Sequence, residues 1–210
     1  MKIVREGPEA HSFARDTVAQ GGVIAFLTDT FYGLGADPFN RHALARINQL
    51  KGRDAGKPVL VVLSDESEAD RFIEKRSELF DALSAKHWPG PLTLVAAALE
   101  SVPQEITAGS GTVGLRLPAD ERVRELVRSC GGALTATSAN AAGSPPALTA
   151  AEVARYFPNL LDLIVDGGAA RSSKPSTVLD TTGVGVRLIR EGAVSRAQLR
   201  ETLGPLGFDL

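Results

Sequence analysis

Short apolar runs alternate along the chain with stretches in which apolar residues recur every three or four positions. Gly22–Leu27 (GVIAFL), Pro58–Leu63 (PVLVVL), Leu92–Ala98 (LTLVAAA), Thr112–Leu117 (TVGLRL), Ala133–Thr137 (ALTAT), Leu161–Val165 (LDLIV) and Ser176–Thr181 (STVLDT) have the length and the branched side chains of strands. Several are apolar on both faces, as expected of strands covered by helices. Helical spacing occupies Asn40–Leu50, Ser67–His87, Asp120–Cys130, Thr149–Tyr156 and Ser195–Leu203. Thr149 with Glu152 and Ser195 with Gln198 are spaced as capping boxes, which satisfy amide donors at a helix start. Val184–Arg190 follows Ser176–Thr181 across Thr182-Gly183 and reads as the second strand of a hairpin. The alternation predicts an α/β fold, a single-domain twisted mixed β-sheet with flanking helices over residues 1–210. No repeat, low-complexity tract or linker divides it.

Composition narrows the class. The chain has 210 residues, 43% hydrophobic and 23% charged, enough for a hydrophobic core that needs no disulfide staples. Its one cysteine, Cys130, has no intrachain partner, which points to a reducing compartment and away from a structural zinc site. The N-terminal MKIVREGPEAHSF is broken by charge and proline too early for a signal peptide, and the longest apolar runs fall far short of the ~18–20 residues of a membrane span. A soluble, cytoplasmic protein with no membrane partner is expected. With a net charge of −2, the protein does not coat nucleic acid by bulk charge, so any bound anion must meet a local cluster.

Gly-, Pro- and Ser-rich segments at Thr28–Pro38, Ser138–Pro146 and Asp166–Pro175 each follow a strand, where α/β proteins commonly place ligands. Gly109-Ser-Gly111-Thr-Val-Gly114 matches G-x-G-x-x-G, but it runs into a strand pattern and then Pro118 instead of a helix, so the match is read as coincidence. His11, His42 and His87 are scattered, giving little support for a metal site or a hydrolase triad, and the sequence assigns no metal ligands. The segment KGRDAGKP (51–58) places Lys51, Arg53 and Lys57 beside two glycines, either as a solvated loop or as a phosphate cradle. Arg116 shares one strand face with Thr112 and Gly114, and is either a solvated arginine or an anion fork. Ser138 and Asn140 either build a turn or bind. Arg190 is either a hairpin charge or a ligand contact.

Taken together, TDTFYGLGADPFN (28–40), KGRDAGKP, HWPGPLTLV (87–95), TVGLRLP (112–118), TSANAAGSP (137–145) and STVLD (176–180) resemble, in order and in register, the YrdC-like family of threonylcarbamoyl-AMP synthases, in its TsaC-type short form without the extra C-terminal domain. The similarity runs from about residue 18 to 194. It implies a YrdC-like fold with a concave basic cleft, and a nucleotidyltransferase that makes threonylcarbamoyl-AMP and pyrophosphate from L-threonine, bicarbonate or CO2, and ATP. Mg2+ would accompany ATP, and a downstream tRNA threonylcarbamoyl transferase would use the product. The family's K-x-R…S-x-N tetrad falls on Lys51, Arg53, Ser138 and Asn140, the implied catalytic set. Further ATP contacts fall on Lys57, Thr112 and Arg190. Threonine contacts fall on Thr30, Arg116, Ser176 and the Ala136 backbone.

Four positions depart from the family pattern: Leu27 for proline, Val62 for histidine, Pro146 for serine and Pro175 for glutamate. Two other readings compete. An RNA-binding YrdC-like module, or a weak tRNA or RNA contact, is opposed by the balanced charge and by an aromatic content of 5%. A related carbamoyl-transfer enzyme of hydrogenase maturation would carry acylphosphatase and zinc-finger segments, which are missing from this sequence.

Overall fold

The computed structural model describes residues 1–52, 57–141, 143–170, 174–183 and 185–210. In chain order its elements are β1 (Lys2–Arg5), α1 (Pro8–Ala19), β2 (Ile24–Leu27), β3 (Tyr32–Gly35), α2 (Arg41–Leu50), β4 (Val61–Leu63), α3 (Glu78–His87), β5 (Leu92–Ala97) and α4 (Gln104–Thr107). There follow β6 (Thr112–Arg116), α5 (Glu121–Ser129), β7 (Ala133–Thr135), β8 (Thr137–Ser138), α6 (Ala150–Tyr156), β9 (Leu163–Asp166), β10 (Thr177–Asp180), β11 (Arg187–Arg190) and α7 (Arg196–Leu203).

The α/β class and the mixed strand directions hold, and the ladders resolve into two sheets. One has the order β1-β9-β2-β3-β8 and the other β11-β10-β5-β6-β4-β7. The run Ala133–Thr137, expected as one strand, supplies the edge of both: β7 pairs with β4, β8 pairs with β3, and only Ala136 separates them. The crossing is tied down by buried hydrogen bonds. Thr135 Oγ1 donates to Leu34 O at 3.1 Å and accepts from Ala36 N at 2.9 Å, while Ala136 N donates to Leu60 O at 2.8 Å.

Apolar packing follows the helices. Ala10, Ala14 and Val18 of α1 and Val123, Leu126 and Val127 of α5 pack on Ile24 and Phe26 of one sheet and on Val62 and Leu134 of the other. This cluster joins the sheets, and each large side chain buried in it is worth about 1.5–3 kcal/mol relative to exposure. A second cluster lies between α2, α6 and β3, and a third between β5, β6, α3 and α7.

Several elements differ from the sequence reading. The strand β1 and the helix α1 come from a stretch read only for targeting signals. Pro8 opens the helix, where its missing N–H costs nothing, and Ala10, Ala14 and Val18 form its buried stripe. The strand β3 lies in a segment read as a loop because of its glycines. A Cβ on Gly35 would lie 2.7 Å from Phe26 Cε1, so glycine is what lets β3 pair with β2 there.

The single helix expected over Ser67–His87 is two elements, a 3-10 turn at Glu66–Arg71 and α3, because Asp65 caps the first and Ser77 the second. The capping box at Ser195 is complete. At Thr149 the hydroxyl caps Glu152 N, but the Glu152 carboxylate reaches Leu148 N instead. The hairpin is present as β10 and β11, antiparallel with a bulge between Val178 and Leu179, and its second strand begins at Arg187. The G-x-G-x-x-G stretch is a turn entering β6.

Candidate active site

Where the 133–138 segment passes between the sheets, a cavity of about 250 Å³ opens. Thr28, Thr30 and Tyr32 line it from the β2–β3 turn, Arg116 from the end of β6, Ala136 and Ser138 from the crossing, and Ser176 and Arg190 from the β10–β11 hairpin.

Arg116 is the central charge. Its residue is 2% exposed, so the solvated alternative is excluded, and its Nη2 lies 3.0 Å from Asp29 Oδ1. Burial lowers its proton affinity, and Asp29 partly restores it. Its Nε is buried without a hydrogen-bond partner. Native proteins rarely leave such a group unsatisfied, and the guanidinium that carries it lines the cavity. Arg190 is close enough that Arg116 adds to burial in lowering its proton affinity. Two guanidiniums facing one hollow repel each other, and an anion between them relieves both.

The hydroxyls beside them have assignable protons. Arg190 donates from Nε and Nη2 to Ser176 O at 3.2 and 2.9 Å, and from Nη2 to Ser176 Oγ at 3.1 Å. Thr93 Oγ1 donates to the same Oγ at 3.0 Å. Both lone pairs of Ser176 Oγ are therefore used, and its proton is left to donate into the cavity. Across the hollow, Thr28 Oγ1 spends its proton on Phe31 O at 2.7 Å. Thr28 Oγ1 also accepts from Thr30 N and Phe31 N, so its proton and both lone pairs are used, and the Thr30 hydroxyl lies 3.1 Å from it.

Local backbone fixes this register. Thr177 Oγ1 accepts from Gly192 N and Val194 N, and a Cβ on Gly192 would overlap the Pro175 carbonyl. Close approach at Gly192 keeps Arg190 against Ser176.

The neighbouring cation is held differently. Lys51, 3% exposed, ends α2, and its Nζ donates to Ser138 O at 2.6 Å, Asn140 O at 2.7 Å and Asn140 Oδ1 at 2.7 Å. Ser138 Oγ donates to Asn140 Oδ1 at 2.6 Å, and Asn140 Nδ2 donates to Ser144 O at 2.6 Å. The turn reading of Ser138 and Asn140 is thus realised, with a buried ammonium as its clamp.

Of the residues singled out from sequence, Thr30, Arg116, Ala136, Ser138, Ser176 and Arg190 line the cavity, and Lys51 and Asn140 sit directly behind Ser138. Arg53 lies outside the described residues. Lys57 is exposed, beside the cavity-lining Pro58. Thr112 lies at the far end of β6 from Arg116, bonded to Ser110 Oγ at 2.8 Å and away from the cavity lining. Pro146 and Pro175 line the cavity, whereas Val62 is fully buried in the inter-sheet core. Leu27 packs against Gly167.

Asp29, Thr28, Tyr32 and Thr93 were missed. Asp29 and Thr28 stood in the quoted TDT run, and their polar character beside a strand end was the available signal. Burial, and then Asp166, raise the proton affinity of the Tyr32 hydroxyl, which donates to Asp166 Oδ1 and Gly168 O at 3.2 and 2.8 Å. Cys130 caps α5, and burial pushes its thiol up to about 11, which suits a packing residue and not a nucleophile.

Comparison with known proteins gives the family. The Sua5/YciO/YrdC family model, described as "Telomere recombination", matches residues 16–192. A protein of Thiobacillus denitrificans named threonylcarbamoyl-AMP synthase is 42% identical over 178 residues, 84% of this chain and 92% of that protein. The crystal structure of Pyrococcus abyssi Sua5 complexed with L-threonine superposes with a TM-score of 0.91 at 34% identity, covering 97% of this chain and 60% of that longer one. Escherichia coli YciO follows with a TM-score of 0.81 at 25% identity, covering 91% of this chain and 95% of that one. The chain belongs to the Sua5/YciO/YrdC family.

Proposed function

We propose that this chain is a threonylcarbamoyl-AMP synthase, converting L-threonine, bicarbonate or CO2, and ATP into threonylcarbamoyl-AMP and pyrophosphate. The relatives' names support the reading. The observation that carries it is the buried Arg116 guanidinium, its Nε unpartnered, lining a cavity shared with Arg190 and the Ser176 hydroxyl.

An amino acid complements these groups. Its carboxylate takes the Arg116 fork and the Ser176 proton, and its hydroxyl or amine meets the Thr30 hydroxyl. The Ala136 amide is committed to Leu60 O, so any backbone contact there uses the Ala136 carbonyl.

The reaction needs no protein nucleophile. Threonine's amine combines with CO2 to give a carbamate, the carbamate oxygen attacks the α-phosphorus of ATP, and pyrophosphate leaves. Positioning and charge stabilisation lower such a barrier. Arg190, Lys57 and Arg53 are the cations for the triphosphate, with Thr112 as a further contact. Lys51 adds its charge to that end while it holds Ser138 and Asn140 in place. Among the described residues no group of three or more His, Cys, Asp or Glu side chains is placed to hold a metal, so Mg2+ would ride on the phosphate oxygens of ATP.

The product is a mixed anhydride that a tRNA threonylcarbamoyl transferase would consume in the cytoplasm. No helix among the described residues is long and apolar enough to cross a membrane.

The test is pyrophosphate release by the purified protein, with mass spectrometry for the anhydride. Release is expected only when threonine and bicarbonate are both present. ATP turnover indifferent to threonine would overturn the assignment.

A further inference from the structure

Asp29 has no role in the chemistry so far, yet it is the carboxylate that meets the buried guanidinium. Its placement is built. Thr28 Oγ1 accepts from Thr30 N at 3.2 Å and from Phe31 N at 3.3 Å, and Thr28 N donates to Phe31 O at 3.0 Å, closing a turn with Asp29 at its second position. The Asp29 Oδ2 oxygen accepts from Ala119 N at 3.4 Å, three residues beyond Arg116. One carboxylate therefore touches both the Arg116 side chain and the backbone that follows it.

Fold stability does not account for such a pair, because replacing buried ion pairs with apolar groups is often neutral or favourable. The pair is also incomplete. Asp29 Oδ1 and Arg116 Nη2 are 3.0 Å apart, but the N–H is not aligned on the oxygen, and both Oδ1 and Arg116 Nε lack a hydrogen-bond partner. A two-pronged pair would have used the guanidinium up. This one restrains it without a hydrogen bond and leaves the guanidinium available at the cavity wall. With Arg190 also facing the hollow, two guanidiniums and one carboxylate leave this end with one net positive charge among the described residues.

We propose that Asp29 is a positioning residue: it aims Arg116 at the substrate carboxylate and offsets its charge beside Arg190, the cation assigned to the triphosphate. The inference rests on the threonine reading of the cavity. It extends that reading to a residue that does not itself touch substrate.

The test compares wild type, Asp29→Asn and Asp29→Glu by pyrophosphate release, thermal unfolding and calorimetric titration with L-threonine. Asp29→Asn should raise the KM for threonine about 10- to 100-fold, the scale of a misdirected hydrogen bond between charged groups, while the KM for ATP is unchanged. Asp29→Glu should recover most of that loss. Because the neutral variant leaves the two guanidiniums uncompensated, inorganic sulfate should compete with threonine more strongly in Asp29→Asn than in wild type.

Equal rises in both KM values, or a drop in melting temperature with threonine binding intact, would reduce Asp29 to a structural ion pair. Unchanged sulfate inhibition would remove the charge-setting half of the proposal. If wild type binds threonine but releases no pyrophosphate, the enzymatic assignment fails, and the calorimetric comparison still decides the role of Asp29. If wild type binds no threonine, both fail.

Discussion

Two cationic regions meet at Ser138, and they treat hydrogen bonding in opposite ways. Around Arg116 the capacity is left open, with an orphaned Nε and an unused Ser176 proton. Around Lys51 it is filled, because the ammonium meets three oxygens of the 138–140 turn. Both cations are almost fully buried, so exposure does not separate them. Open capacity in a buried wall is a cost to the empty protein that a ligand removes. Filled capacity holds a shape. The first region should report on threonine and the second on the integrity of the site.

The largest expected effect tests the open side. Arg116→Ala should lower kcat/KM for threonine roughly 100- to 1,000-fold, the cost of breaking a buried charged interaction, and leave the KM for ATP near wild type. It should also abolish the rise in melting temperature that threonine gives the wild type by binding only the folded state. A threonine-induced shift that survives Arg116→Ala would mean the substrate carboxylate binds elsewhere.

Next in size is Lys51→Met. Removing the clamp takes a charged donor from three oxygens, of which Ser138 O keeps Asn140 N and Asn140 Oδ1 keeps Ser138 Oγ. The loss should cost about 1–3 kcal/mol, a fall in melting temperature of about 3–10 °C for a chain of this length. The KM values for both substrates should rise together, because the turn that both sides share is lost. An unchanged melting temperature with only the KM for ATP affected would show that Lys51 acts on phosphate and that the contrast between the regions is wrong.

The contrast also explains what could be read from the sequence. Residue type and alternation along β6 singled out Arg116, the hairpin pattern offered Arg190, and the family resemblance added Ser176 and Thr30; all four line one hollow. Whether a cation is open or spent depends on atoms brought together across 87 residues, as in Lys51 with Ser138, and no local pattern encodes that. The pairing of Asp29 with Arg116 was hidden for the same reason, since its partner lies in another sheet. The division of Ala133–Thr137 between two sheets was hidden because an extended segment looks the same whichever neighbour it pairs with. By contrast, α1 carried a legible signal in the spacing of Ala10, Ala14 and Val18 behind Pro8. The glycines of β3 were misleading, since Gly35 serves close packing and not a turn.

The smallest effect gives the sharpest discrimination, because it makes one substitution at two serines. Ser176 has a free proton and Ser138 has a spent one, donated to Asn140 Oδ1. Ser176→Ala should raise the KM for threonine about tenfold with little change in melting temperature, since the lost bond is made to the ligand. Ser138→Ala should lower stability by about 1 kcal/mol and leave the KM for threonine unaltered, since the lost bond is internal. Thr93 and Arg190 lose an acceptor in Ser176→Ala, so a parallel rise in the KM for ATP would trace the effect to Arg190 and not to the serine proton. If the two alanine variants have interchangeable profiles, the proton assignment at Ser176 is wrong, and with it the claim that this wall of the cavity is built to donate.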